Sequence, residues 1–463
     1  MVGGVDRTGT DGLAQKLAER GAYIAIDHIG TEGHHEGNLG DAEYLTDAER
    51  VALVAELATT GHADKVLLSS SATGAAFGHP ATDVAFAHVL SSFVPALTAR
   101  GSTTTPSGRS SSPTRRRCSR CAEHPADPTL SNTEVNPMSH VNTVLGAVPA
   151  AELGFVAVHE HIGYGMPGSE LDTQWWKTPE QRYEETVPKL RTFHENSLSY
   201  GAATYVDATG ICNGRDVNYY QSLSEKTGVH IVASTGFVGG DTALPFFERA
   251  GVDYLTDQFI HEITVGIGNT GGKAGIIKVG VSRGFRMKDL DLRIYRAAAR
   301  AALATGVPIF THLAVDVEPA IDIFREEGLP LDRVLFGHAD DGVSQGKVRD
   351  RWIAEQGGRI GFDTFGYDLE LPDPPFWGRP RRERLDHFLG YLRDGLVDQV
   401  LASADANCSP LGWPGVKGHT VNYLFDTLIP ALREADLDEA TIHRIFVELP
   451  ADFLSVKTFA TTS

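Results

Sequence analysis

The sequence predicts an α/β fold, a (β/α)8 TIM barrel carrying an N-terminal partial (β/α) repeat. Three observations predict it. From about residue 150, eight short apolar runs alternate with amphipathic, helix-like stretches. Six residues of metal-ligating type, His159, His161, Lys278, His312, His338 and Asp405, stand at or just past the C-terminal ends of five of those runs. In a parallel barrel such ends converge on the face where active sites are built. Finally, residues ~5–100 repeat the last part of the barrel sequence in the same order.

The runs are FVAVHEH (155–161), ATYVDA (203–208), HIVAST (230–235), GIIKVG (275–280), VPIFTH (307–312), RVLFGH (333–338), RIGFD (359–363) and QVLASAD (399–405). Between the fourth and fifth, LRIYRAAARAALATG reads as a helix ending at Gly306. After the fifth, VEPAIDIFREEG reads as a helix capped by Asp316 and closed by Gly328. A doubly wound open sheet is the alternative. It would need a glycine-rich nucleotide loop after the first strand, and HEHIGYG is not one.

The repeat is specific. RGAYIAIDHIG (20–30) resembles QGGRIGFDTFG (356–366), ADKVLLSSSA (63–72) resembles VDQVLASADA (397–406), GHP (78–80) matches GWP (412–414), and FVPALTARG (93–101) resembles LIPALREAD (428–436). Residues 1–101 therefore read as a truncated copy of the last barrel units, and residues 138–463 as the complete barrel. Two copies, one partial, do not make a solenoid. In the truncated copy Ser71 stands where the barrel has Asp405, and Asp27 where it has Asp363. This copy is expected to hold no catalytic metal and to leave strand edges unpaired. Residues 102–137 are rich in Ser, Thr, Pro and Arg and almost free of aliphatic side chains, so they read as a disordered linker. Cys118 and Cys121 form a lone CxxC there, against which stands the reading of a plain solvated segment. A frame-shifted fusion, with Met138 as an ancestral start, also fits.

The length of 463 residues allows two to four domains. A formal charge of −19 speaks against nucleic acid as a partner, and no run approaches the ~18 apolar residues of a membrane span. Four cysteines in so long a chain make no disulfide framework. The start MVGGVDRTGTDG shows no signal peptide, so a cytoplasmic protein is expected.

Residue by residue, the site set has competing readings. On a strand, His159 and His161 face the same way, with Glu160 pointing outward, and the pair can hold one metal. Strands also carry two histidines by chance. Lys278 lies in a strand expected to be buried on both faces, where a bare ammonium is costly. Such an amine can be neutral and take up carbon dioxide, or can reach solvent from the strand end. His312 and His338 are ligands or hydrogen-bonded core histidines, and Asp405 is a ligand or a helix cap. Asp216 reads as a helix N-cap rather than a catalytic group, and Asp363 as a partner of a ligand or of substrate. No packing rule asks for six ligand types at strand ends together.

Together with GRD (214–216), STGF (234–237), GNTGGKAGIIKVG, GVPIFTHL, RVLFGHADD and SADANC, these residues make the region ~140–457 resemble the phosphotriesterase family of the amidohydrolase superfamily. The resemblance implies two divalent metal ions, usually Zn2+, and carbon dioxide bound as a carbamate on Lys278. His159, His161 and Asp405 would bind one ion and His312 and His338 the other, with carboxylated Lys278 and a hydroxide bridging them. Asp405 and Lys278 would be the catalytic residues, Asp405 accepting a proton, and no covalent enzyme intermediate is required. Tyr164, Asp363 and Trp413 are the expected substrate-binding residues.

The sequence departs from the family at Ala404, where relatives often have His, and at Thr364, where lactone-hydrolysing relatives often carry Arg or His. Both are expected near the substrate pocket. Long loops at 367–385 and 410–425, the latter with Trp413, His419 and Tyr423, are expected to set specificity. The expected activity is hydrolysis of a small-molecule ester: a lactone, carboxylic ester or phosphotriester. The alternatives are an amidase on N-acyl compounds or a barrel that has lost its chemistry. A homodimer is compatible with the sequence.

Overall fold

The computed structural model describes residues 2, 5–6, 10, 12–30, 33–35, 42–69, 88–100, 139–282, 286–312, 317–340, 347–368, 370, 378–412 and 419–459. Segment 102–137, Ser71, Asp316 and Trp413 lie outside them. The chain divides into two compact units, Met1–Leu130 and Ser131–Ser463.

The second unit is a barrel of eight parallel strands: β1 Phe155–Glu160, β2 Ala203–Asp207, β3 His230–Gly236, β4 Ala274–Val279, β5 Ile309–Thr311, β6 Val334–Phe336, β7 Arg359–Phe362 and β8 Val400–Ala402. They are ordered sequentially. Helices α1 Pro179–Ser197, α2 Val217–Thr227, α3 Val252–Thr264, α4 Asp289–Thr305, α5 Glu318–Glu327, α6 Lys347–Glu355 and α7 Arg381–Arg393 follow β1 to β7 in turn. β1 and β8 close the ring through their C-terminal extensions: Asp405 N–H donates to His159 O (3.1 Å), His161 N–H to Ala406 O (2.7 Å) and Cys408 N–H to His161 O (2.9 Å). The end signals read in the sequence work locally. Gly306 and Gly328 take left-handed conformations (φ 80° and 81°) that stop α4 and α5. The N-cap position of α5 is Val317, without a side-chain cap. Asp216 caps α2 by accepting the Tyr219 N–H.

Two apolar layers hold the barrel. Val156, Val158, Val206, Val232, Ile276, Phe310, Leu335 and Leu401 fill the interior, with Leu449, Phe453 and Leu454 packed among them. Phe155, Ala157, Tyr205 and Ile277 belong to the outer layer, with helix residues such as Leu190, Phe259 and Ala298. Uninterrupted alternation from Phe155 would send His159 outward. A bulge prevents it: Ala157 pairs with Tyr205, but Glu160 pairs with Asp207. The extra residue inverts the phase of β1, so both histidines face the interior.

The first unit contains the strands Ile24–Ile26 and Val66–Leu68, paired in parallel, with Ile24 opposite Val66 and Ile26 opposite Leu68. β7 and β8 pair in the same way, with Ile360 opposite Val400 and Phe362 opposite Ala402. The helix Asp47–Thr59 lies between the two strands in sequence, starting with a Thr46–Glu49 capping box. A π-helical turn, Val89–Phe93, runs into helix Val94–Ala99, as Leu424–Leu428 runs into Ile429–Glu434 in the barrel. A buried ion pair recurs too. Asp6 accepts from the His28 N–H and Arg50 Nε, both at 3.1 Å. In the barrel, Asp340 accepts from the Thr364 N–H (3.2 Å) and Arg384 Nη1 (3.0 Å). One difference stands out: Leu67 is 44% exposed where its counterpart Leu401 is fully buried.

Candidate metal centre

The C-terminal ends of β1, β4, β5, β6 and β8 bring the six sequence-predicted ligand residues to one place. Lys278 Nζ lies 2.8 Å from His159 Nε2, and His338 Nε2 lies 2.8 Å from His312 Nδ1. Asp405 Oδ1 lies 3.1 Å from His161 Nε2 and 4.0 Å from His159 Nε2. The rings of His159 and His338 stack at 5.2 Å. His338 and Asp405 both adopt positive φ (62° and 52°), the conformations by which each leaves its strand and turns inward.

Behind this cluster, three histidines are held by their Nδ1 atoms. Asp363 takes His159 Nδ1 (2.6 Å) and His338 Nδ1 (2.9 Å), and also accepts the His338 N–H (2.7 Å). Thr209 Oγ1 meets His161 Nδ1 at 2.8 Å. Each Nε2 is left facing the centre, the arrangement by which outer partners orient metal-ligating histidines. Asp363 was expected as a partner of a ligand or of substrate. It is fully buried, and both its oxygens are engaged by the two histidines.

The electrostatics suit cations. Burial, and then the charge of Lys278, push His159 down to about 4, so its lone pair is free at neutral pH. Burial, with His338 and Lys278, likewise holds His312 well below its ordinary value. Burial pushes Lys278 down to about 8, partly offset by Asp405, Asp363 and Asp207. Burial raises Asp405, but His161, His159 and His338 outweigh it and hold the carboxyl below the usual range. Its Oδ1 is buried and, although 3.1 Å from His161 Nε2, takes no well-aligned hydrogen bond. The set His159, His161 and Asp405 offers three ligand atoms within 4.8 Å of one another. A buried anionic oxygen facing imidazole Nε2 atoms fits a divalent cation.

A cavity of about 220 Å3 opens onto this cluster, lined by His161, Tyr164, Met166, Val238, Lys278, His312, Tyr367, Asp405 and Asn407. Tyr164 is thus at the site as expected, and Asn407 clamps its backbone, accepting the Tyr164 N–H (3.1 Å) and donating to its carbonyl (3.0 Å). Thr364 and Ala404 were expected near the pocket and do not line this cavity. Thr364 Oγ1 accepts from Arg384, and the Ala404 N–H donates to Glu160. Arg215 is tied by both nitrogens to Glu262 and does not line the cavity. His419 packs edge-on to Tyr367 at 4.5 Å, and Tyr423 donates to Asp368. Sequence reasoning missed Thr209, Tyr367 and Asn407, which carry no spacing signal. Glu160, expected to point outward from the strand, is fully buried.

Comparison with known proteins decides the family. The model of the phosphotriesterase family matches residues 1–106 and 139–454. The chain belongs to the phosphotriesterase family. This phosphotriesterase-family hydrolase is 29% identical over 325 residues to an aryldialkylphosphatase of Saccharolobus solfataricus, covering 67% of this chain and 97% of that protein. It is 26% identical over 353 residues to the N-acetyltaurine hydrolase of Mus musculus, covering 68% of this chain and 98% of that protein. A solved structure, described as molecular engineering of organophosphate hydrolysis activity from a weak promiscuous lactonase template, matches with a TM-score of 0.62 and 26% identity. The match covers 68% of this chain and 99% of that one. Both parts of the family match fall on the two copies read in the sequence.

Proposed function

We propose that the chain is a hydrolase of small ester-type substrates, lactone, carboxylic ester or phosphotriester, that works with two divalent metal ions, zinc foremost. The observation that carries the reading is the pair of Nδ1-tethered histidines, His159 and His161, whose Nε2 atoms lie 4.0 and 3.1 Å from a buried Asp405 oxygen at a cavity, with the likewise tethered His338 beside His312. His159, His161 and Asp405 would hold one ion, His312 and His338 the second, and Lys278 as its carbamate would stand between them. When bound, such ions supply an activated water and polarise the bond to be cleaved. The chain's own residues do the rest. Asp405 accepts and passes on a proton. Tyr164, Met166, Val238 and Tyr367 shape the cavity and exclude bulk water, and Asn407 keeps Tyr164 in place. Asp363 and Thr209 hold the imidazoles.

An amidase on N-acyl compounds is the second reading, favoured by the likeness to N-acetyltaurine hydrolases over nearly their whole length. A panel of lactones, aryl esters, phosphotriesters and N-acyl amino acids, assayed with zinc- and cobalt-loaded protein, separates the two. The highest kcat/KM on a lactone or ester supports the first reading, and on an N-acyl amide the second. Elemental analysis should find about two ions per chain. Protein that takes up none would overturn both.

A further inference from the structure

Glu160, between the two β1 histidines, faces the end of β8. Its carboxylate accepts three hydrogen bonds: from Ser403 Oγ (2.6 Å), the Ala404 N–H (2.9 Å) and the Ala406 N–H (2.6 Å). The residue between those two amides is Asp405, whose own N–H donates to His159 O (3.1 Å). Three successive amides of the β8 extension are therefore gripped by two successive residues of β1. Ser403 completes the loop by accepting the His159 N–H at 3.0 Å while donating to Glu160. At the centre sits Asp405 with φ 52°, a conformation unfavourable for a residue with a side chain unless its surroundings hold it. Glu160 is fully buried and does not line the cavity.

We propose that Glu160 is a positioning residue: by gripping the amides on both sides of Asp405 it fixes the left-handed backbone that aims the Asp405 carboxylate at His159 and His161. Glu160 couples the two halves of one ligand set across the seam where the barrel closes. The inference rests on the reading of Asp405 as a metal ligand.

The test uses the full chain and cobalt as probe, with Glu160→Gln, Glu160→Asp and Ser403→Ala. In Glu160→Gln, one carboxylate oxygen becomes an amide nitrogen that confronts a backbone N–H. We expect one of two cobalt ions to bind 10–100-fold more weakly, in the range for loss of an outer-sphere partner. The visible spectrum of that ion should change, and the other ion should bind as before. Hydrogen exchange in metal-free protein should accelerate at 404–406. Glu160→Asp should recover part of the affinity, and Ser403→Ala, which removes the hydroxyl's bonds to Glu160 and to the His159 N–H but leaves both amides gripped, should fall between wild type and Glu160→Gln. If Glu160→Gln, or Ser403→Ala should the former not fold, lowers the melting temperature yet keeps wild-type cobalt affinity and spectrum, Glu160 is merely structural and the proposal is overturned. A wild-type chain that takes up no cobalt overturns the metal centre itself, and the positioning role with it.

Discussion

Asp363 shows how one side chain serves two others. Its oxygens separately engage His159 and His338, so Asp363→Asn replaces one acceptor with a donor and unsettles an imidazole. Metal affinity should drop about 10–100-fold, measured by competition with a chelator. Gly236 is constrained more tightly: at φ 89°, a Cβ there would lie 2.0 Å from Lys278 O. Gly236→Ala should therefore displace Lys278, lowering metal content and destabilising the fold by about 1–3 kcal/mol in denaturant titration. Lys278→Met should do the opposite to stability. It removes a buried, desolvated amine, so activity should vanish while the melting temperature holds or rises. The six site residues were legible in the sequence because each closes an apolar run. Thr209 was not, and although Asp363 was read as a partner of a ligand or of substrate, nothing in its spacing says which imidazole it will meet. Glu160, read as pointing away from the histidines' face, does not reach solvent, for a physical reason. Period-2 alternation tells which face a residue takes, but in a closed parallel barrel both faces are covered, so the outward direction led to a buried partner and not to water.

At the level of elements, the eight strands were readable within a few residues, yet the bulge in β1 was not. Sequence shows no trace of the extra residue between Ala157 and Glu160, although it alone turns His159 inward. The Asp340–Arg384 pair likewise leaves no signal in the sequence. Arg384 is fully buried and also donates to the Thr364 and Tyr367 carbonyls, tying α7 to the ends of β6 and β7. Arg384→Met would strand a buried carboxylate and should cost about 3–5 kcal/mol by chemical denaturation. In the first unit, burial raises Asp47, but the Gly30 N–H, His88 and Arg50 outweigh it and hold the carboxyl below its ordinary 3.8. A depressed folded pKa means that the unfolded chain takes the proton first. The stabilisation is complete above 3.8 and is lost as pH falls through the folded value. Unfolding curves of Asp47→Asn and wild type should therefore differ at neutral pH and draw together below that value.

For the whole molecule, we propose that residues 1–101 are a metal-free copy without a catalytic part. Deleting residues 1–137 should leave kcat/KM within about twofold and metal content at about two ions per chain. Loss of activity in a folded deletion variant would show that the first unit serves the site. Among the described residues no helix is long and apolar enough to cross a membrane. The likeness between the units reaches the strand register, with Ile24 opposite Val66 as Ile360 is opposite Val400. During synthesis the N-terminal copy leaves the ribosome first. On the proposal that it is a copy of the last barrel units, it would present to nascent β6 and β1 the same edges that β7 and β8 offer many seconds later. It would then act as a kinetic decoy, able to occupy the last places in the ring before their proper owners arrive. Refolding from denaturant should accordingly be slower and lower in yield for the full chain than for residues 138–463 alone, most of all at high temperature, where mispaired strands aggregate.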